Sequence, residues 1–128
     1  MTSPAETVGV RVLLADDHPL VRQGLELALS AAPGLTVCGT APDGVEAVRQ
    51  ALEQHPDIVV LDVSMPGGDG LTAARELRRL LPAVRIVVLT WRASSRPAAL
   101  EAGADLFLLK DTSPGVLVER LRTLVPRP

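Results

Sequence analysis

Four short apolar runs in this 128-residue chain end in side chains that could work together. The run Val10-Arg11-Val12-Leu13-Leu14 leads through Ala15 into Asp16-Asp17, and Ile58-Val59-Val60-Leu61 leads into Asp62. Arg85-Ile86-Val87-Val88-Leu89 is followed by Thr90, and Leu106-Phe107-Leu108-Leu109 by Lys110. Three carboxylates held close repel one another and need a counter-charge. A hard divalent cation such as Mg²⁺ supplies it, taking a few carboxylates plus water and phosphate oxygens. The hydroxyl and the ammonium are donors suited to phosphoryl oxygens. A carboxylate can itself be the nucleophile and form an acyl phosphate. The set therefore reads as Mg²⁺-dependent phosphorylation of an aspartate. Singly these residues say little, since an Asp after a strand is more often a helix N-cap and a lysine more often a solvated charge. Agreement of four strand ends on one chemistry carries the reading.

The residues converge only if the runs become neighbouring strands. The runs are continuous rather than alternating, the pattern of strands buried on both faces of a parallel sheet. A fifth, Leu35-Thr36-Val37-Cys38, ends in the unreactive Gly39-Thr40 and suits a sheet edge. Segments with helical spacing lie between them. Leu20, Gly24, Leu25 and Ala28 fall on one face behind Pro19, which a first turn tolerates. Asp43 with Glu46 makes a capping-box pattern leading into Val45, Val48, Ala51 and Leu52. Leu71, Ala74, Leu77, Leu80 and Leu81 form a third stripe. A short fourth helix is predicted over about 97–102, stopping at Gly103, and a fifth runs from Ser113-Pro114 through Leu117, Leu121 and Leu124. This βα alternation with right-handed crossovers predicts an open, doubly wound parallel sheet with helices on both faces. Ligands in such sheets gather outside the carboxyl ends of the strands, where the reactive residues fall.

Composition narrows the class. The length suits one domain. Hydrophobic residues at 47% and charged residues at 22% fit a folded soluble protein, and a net charge of −2 opposes binding nucleic acid through a basic field. No apolar run reaches membrane-spanning length, and the polar start is no signal peptide. The single cysteine, Cys38, excludes an internal disulfide and suits a reducing cytoplasm. Twelve arginines accompany one lysine, so Lys110 stands where a compact ammonium is not replaced by a planar fork.

The stretches Ala15-Asp16-Asp17-His18-Pro19-Leu20-Val21-Arg22, Leu61-Asp62-Val63-Ser64-Met65-Pro66-Gly67-Gly68-Asp69-Gly70, Val88-Leu89-Thr90 and Ala102-Gly103-Ala104-Asp105 with Leu109-Lys110-Asp111 resemble the receiver domain of bacterial two-component response regulators. The Asp-His-Pro run and Lys110-Asp111 resemble the subgroup joined to a LuxR-type helix-turn-helix domain. The resemblance implies a flavodoxin-like five-stranded sheet of order 2-1-3-4-5 with five helices. It implies a receiver domain over 10–125, a tail over 1–9, and a tail or linker start over 126–128. Asp62 matches the phosphoacceptor. Asp17 and Asp62 match direct Mg²⁺ ligands, Asp16 acts largely through water, and the Ser64 carbonyl completes the set. Thr90 and Lys110 match the groups that gather to the phosphoryl, and Phe107 the aromatic coupled to them. The implied protein is a phosphorylation-switched signalling domain rather than an enzyme, with a histidine kinase as phosphodonor and a homodimer as one form of output. DNA is reached only through a domain not in this chain, no membrane is involved, and the compartment is the cytoplasm.

Two features depart from the family's pattern. Trp91 follows the switch threonine where a smaller residue is usual, and is expected either to gate the acid pocket or to pack on the surface of the fourth helix. The fourth-helix stretch is short and carries Pro97, which leaves only about two turns. Alternatives are a flavin- or nucleotide-binding domain, opposed by Asp16-Asp17 repelling phosphate, and an aspartyl phosphatase, opposed by the adjacency of those two residues. A third is an interaction module whose output ignores phosphorylation. His18 reads as a loop residue, Cys38 as a small buried hydrophobe, and Gly67, Gly68 and Gly70 as turn formers.

Overall fold

Five parallel strands are present: β1 (Val10–Ala15), β2 (Leu35–Ala41), β3 (Ile58–Leu61), β4 (Arg85–Thr90) and β5 (Leu106–Leu109). The computed structural model describes residues 9–63, 65 and 70–125. The strands form one sheet in the order β2-β1-β3-β4-β5, so β2 lies at an edge as its unreactive end suggested. Helices α1 (Pro19–Ser30), α2 (Gly44–Gln54), α3 (Gly70–Leu80), α4 (Arg96–Glu101) and α5 (Pro114–Leu124) connect them, with a 3₁₀ turn at Ala93–Ser95 before α4.

Successive strand residues feed two cores. Leu13, Ala15, Val59, Leu61 and Ile86 pack with Ala47 and Ala51 of α2 and Ala73, Ala74 and Leu77 of α3. Val12, Leu14, Val60, Val87, Leu89, Leu106 and Leu108 pack with Leu29 of α1 and Leu117, Val118 and Leu121 of α5. Both faces of the sheet are thus dry, which is why the central strands need apolar residues at every position. β1 pairs with β2 through Val12↔Val37 and then Leu13↔Gly39, so Cys38 is an extra residue in a bulge. Cys38 is half-buried on this edge strand, not fully buried as its apolar surroundings in the sequence implied.

Two helices present different faces from those the sequence suggested. In α1, Leu20 (83% exposed), Gly24 and Leu27 (73% exposed) face solvent, while Leu25 and Leu29 meet the core. In α2, Val45 and Leu52 are exposed, and the small side chains of Ala47 and Ala51 lie against the sheet. Asp43 does cap α2, accepting from the Glu46 N–H at 2.8 Å. The Glu46 carboxylate does not reach back to close the box; Arg49 and Gln50 donate to it and hold its pKa at about 2.

At the amino ends of the strands, polar side chains serve the frame. The Arg11 N–H donates to Asp57 Oδ2 at 2.9 Å, and the Arg11 guanidinium donates to the Gln54 and His55 carbonyls that end α2. Arg78 donates to the Val84 and Gly103 carbonyls and to Asp105 Oδ2, tying α3 to the chain after α4. Gly103 has φ +106°, the left-handed backbone expected just past a helix C-cap.

Candidate functional site

The reactive residues occupy the opposite rim, one strand end at a time. β1 and β3 run side by side with Ala15 opposite Leu61, so Asp16 and Asp62 leave the sheet together. Their backbones are fixed there: the Asp62 N–H donates to the Ala15 carbonyl at 3.1 Å and the Asp16 N–H to the Ala41 carbonyl at 3.0 Å. Thr90 ends β4 beside Leu109 of β5, and the Lys110 N–H donates to the Thr90 carbonyl at 2.8 Å. Asp16, Asp62 and Thr90 are buried.

Lys110 is the cation of this rim. Its Nζ lies 2.5 Å from Asp16 Oδ2 and 3.0 Å from Asp62 Oδ2, and all three side chains are almost wholly shielded from water. Burial pulls the ammonium toward deprotonation, but hydrogen bonds to Asp16 and Asp62 and their charges outweigh it, and the pKa is raised. Lys110 is therefore a fixed positive charge at neutral pH. One ammonium does not balance three carboxylates. Asp17 Oδ1 is buried with no hydrogen-bond partner among the described residues, and such an atom is costly unless something binds it.

One ligand atom each from Asp16, Asp17, His18 and Asp62 can be chosen so that all lie within 4.8 Å of one another. An oxygen-rich set with an unsatisfied buried carboxylate oxygen fits a hard divalent cation. The loop is held by the His18 N–H, which donates to Asp16 Oδ1 at 2.9 Å, and by Arg22, whose Nη1 donates to the Asp16 carbonyl at 2.6 Å. Arg22 carries out a supporting role that its sequence position did not advertise.

Of the other expected site residues, Ser64 lies outside the described residues, as do Gly67 and Gly68. Phe107 is half-buried on β5 opposite Val88, on the side of the strand away from buried Leu106 and Leu108. Trp91 is 63% exposed next to Thr90. Gly70 starts α3 so close to the end of β3 that an added Cβ would stand 2.0 Å from the Asp62 carbonyl oxygen.

Residues 12–122 match the response regulator receiver domain family. The chain is 40% identical over 115 residues to the transcriptional regulatory protein LiaR of Bacillus subtilis (strain 168), covering 88% of this chain and 54% of that protein. It is 39% identical over 119 residues to the nitrate/nitrite response regulator protein NarP of Escherichia coli (strain K12), covering 91% and 55%. The chain thus spans about half the length of the curated relatives it matches. A LuxR-family two-component response regulator from Aurantimonas sp. SI85-9A1 superposes with a TM-score of 0.86 at 36% identity, over 91% of this chain and 84% of that one. Strand order, acid rim and family match converge, and the chain belongs to the response regulator receiver domains, signalling domains of the LuxR and NarL type rather than enzymes.

Proposed function

We propose that this receiver accepts a phosphoryl group on Asp62 from the phosphohistidine of a partner kinase and changes conformation in response. The observation that carries the proposal is the buried Asp62 carboxylate at the end of β3, with Lys110 Nζ 3.0 Å away and, in the same cluster, an Asp17 oxygen without a hydrogen-bond partner among the described residues. An Asp62 oxygen attacks phosphorus, the bond to the donor nitrogen breaks, and the leaving imidazole takes the electron pair. Asp16, Asp17 and Asp62, with the Ser64 carbonyl, would hold Mg²⁺, which when bound neutralises the carboxylates and the phosphoryl oxygens. Lys110 exchanges its contact with Asp62 for one with the new phosphoryl group. Thr90, at the neighbouring strand end, turns its hydroxyl toward the same group, and Phe107 follows it. Trp91, beside Thr90, gates access to the rim. Output passes to a partner or to a domain outside this chain, by which DNA would be reached, with a homodimer as one form and the cytoplasm as the setting.

The sole tryptophan makes the test direct. Trp91 fluorescence is followed while the full chain is titrated with Mg²⁺ and then beryllofluoride, with radiolabel uptake from a small phosphodonor measured in parallel. A saturable response to each, and uptake that Asp62→Asn abolishes, is the expected outcome. No uptake and no response, with an unchanged melting temperature in Mg²⁺, would sink the proposal in favour of an interaction module independent of phosphorylation. A Trp91→Ala variant that gains and loses the phosphoryl group faster than wild type is expected from the gate.

A further inference from the structure

We infer that His18 is a nitrogen ligand which biases the acid site toward first-row divalent cations that favour imidazole, such as Zn²⁺, Ni²⁺ and Co²⁺. The inference rests on reading the acid rim as a divalent-cation site and assigns one more residue to it. His18 occupies the N-cap position of α1, yet its side chain makes no capping hydrogen bond. Its Nδ1 instead lies 3.1 Å from Asp17 Oδ1 and 3.8 Å from Asp16 Oδ1. The Asp17 oxygen beside it is the buried one that has no hydrogen-bond partner among the described residues. At that distance the two atoms pair when the imidazole carries a proton on Nδ1, and without that proton both can turn to a cation.

That spacing is what shared coordination requires. Two adjacent ligands with bonds of about 2.1 Å to one cation stand about 3.0 Å apart when the angle between them is a right angle. The His18 backbone is anchored by its N–H bond to Asp16 and by the proline that follows, which favours extended geometry at the preceding residue. The ring itself is 66% exposed, so packing does not hold it and it can adjust to a bound ion. Carboxylates and water suit Mg²⁺, whereas an imidazole nitrogen raises affinity along the series toward nickel, copper and zinc. A site of three carboxylates with a histidine at its mouth therefore discriminates less strongly in favour of Mg²⁺ than three carboxylates alone.

The test uses the full chain and titrates Mg²⁺ and Co²⁺ by calorimetry, with the visible absorption of Co²⁺ as an independent report of nitrogen ligation. His18→Gln is compared with wild type, His55→Gln and Asp17→Asn. We expect His18→Gln to weaken Co²⁺ binding about tenfold or more and to change its spectrum, while Mg²⁺ affinity moves by less than about twofold. His55→Gln should behave as wild type, and Asp17→Asn should lose both cations. If His18→Gln binds Co²⁺ as wild type does while Asp17→Asn loses both ions, the role of His18 is overturned and the acid site stands. If the loss of Co²⁺ follows His55→Gln, the ligand is assigned wrongly. If wild type binds neither cation, or Asp17→Asn keeps Mg²⁺, the reading of the acid rim fails and this inference falls with it.

Discussion

Asp17 shows how a receiving site differs from a core. Its buried oxygen, without a hydrogen-bond partner among the described residues, sits in a rim that holds more negative charge than Lys110 alone can balance. Without a cation that arrangement opposes folding, so removing the charge should help. In buffer with a chelator, Asp17→Asn is expected to be more stable than wild type by about 1 kcal/mol in urea denaturation. Adding Mg²⁺ should reverse the order, because only wild type gains from binding to its folded state. A chelator-treated variant less stable than wild type would contradict this account. The rim residues were legible because each follows an apolar run directly, and a parallel sheet brings such positions together. Arg22 was not legible. Its guanidinium reaches back six residues to a main-chain carbonyl, and no side-chain pattern marks such a contact.

At the level of elements, the join between β3 and α3 is the tightest constraint. Gly70 lets α3 begin against the Asp62 carbonyl, with its own N–H donating to the Val63 carbonyl at 3.3 Å. The Cβ of Gly70→Ala would meet backbone rather than a yielding side chain, so either the helix start or Asp62 must move. The expected cost is about 1–3 kcal/mol of stability. Phosphoryl uptake should fall by more than a distant variant of equal stability would show, such as Ala47→Gly. Equal losses in the two variants would show that Gly70 matters only for packing. Element positions were readable from hydrophobic period and caps, and at the start of α5, which the sequence placed at Ser113-Pro114, Ser113 accepts from the Val116 N–H. Helix faces were less readable. In α1 and α2 large apolar residues point outward, because the sheet is approached through Leu25 and Leu29 in one and through alanines in the other. Residue size does not reveal which side of a helix a flat sheet will select. The shortness of α4 was foreseen from Pro97, and a 3₁₀ turn over Ala93–Ser95 fills the remaining stretch.

For the whole molecule, the sheet separates two cores that share no side chain but share strands β1 to β4. Ile86→Val on one face and Leu29→Ala on the other should cost about 0.5–1.5 and 2–5 kcal/mol respectively. Combined, the two costs should add to within about 0.5 kcal/mol, and unfolding should remain a single transition by fluorescence and circular dichroism. A double variant that unfolds in two steps would show that the layers are not one cooperative unit. Among the described residues no helix is long and apolar enough to cross a membrane. The order of strands was deducible from the family's motifs, whereas the offset between β1 and β2 was not, since nothing local distinguishes Cys38 from a paired strand residue. That offset bears on how copies of the molecule meet. An open sheet offers its edge backbone as a template on which a neighbour's strand can grow, and repetition of that step leads to fibres. The bulge at Cys38 breaks the regular alternation of donors and acceptors along β2 and bends it. An incoming straight strand therefore loses register partway along, and crowding in the cell is less able to turn this edge into a seed for aggregation.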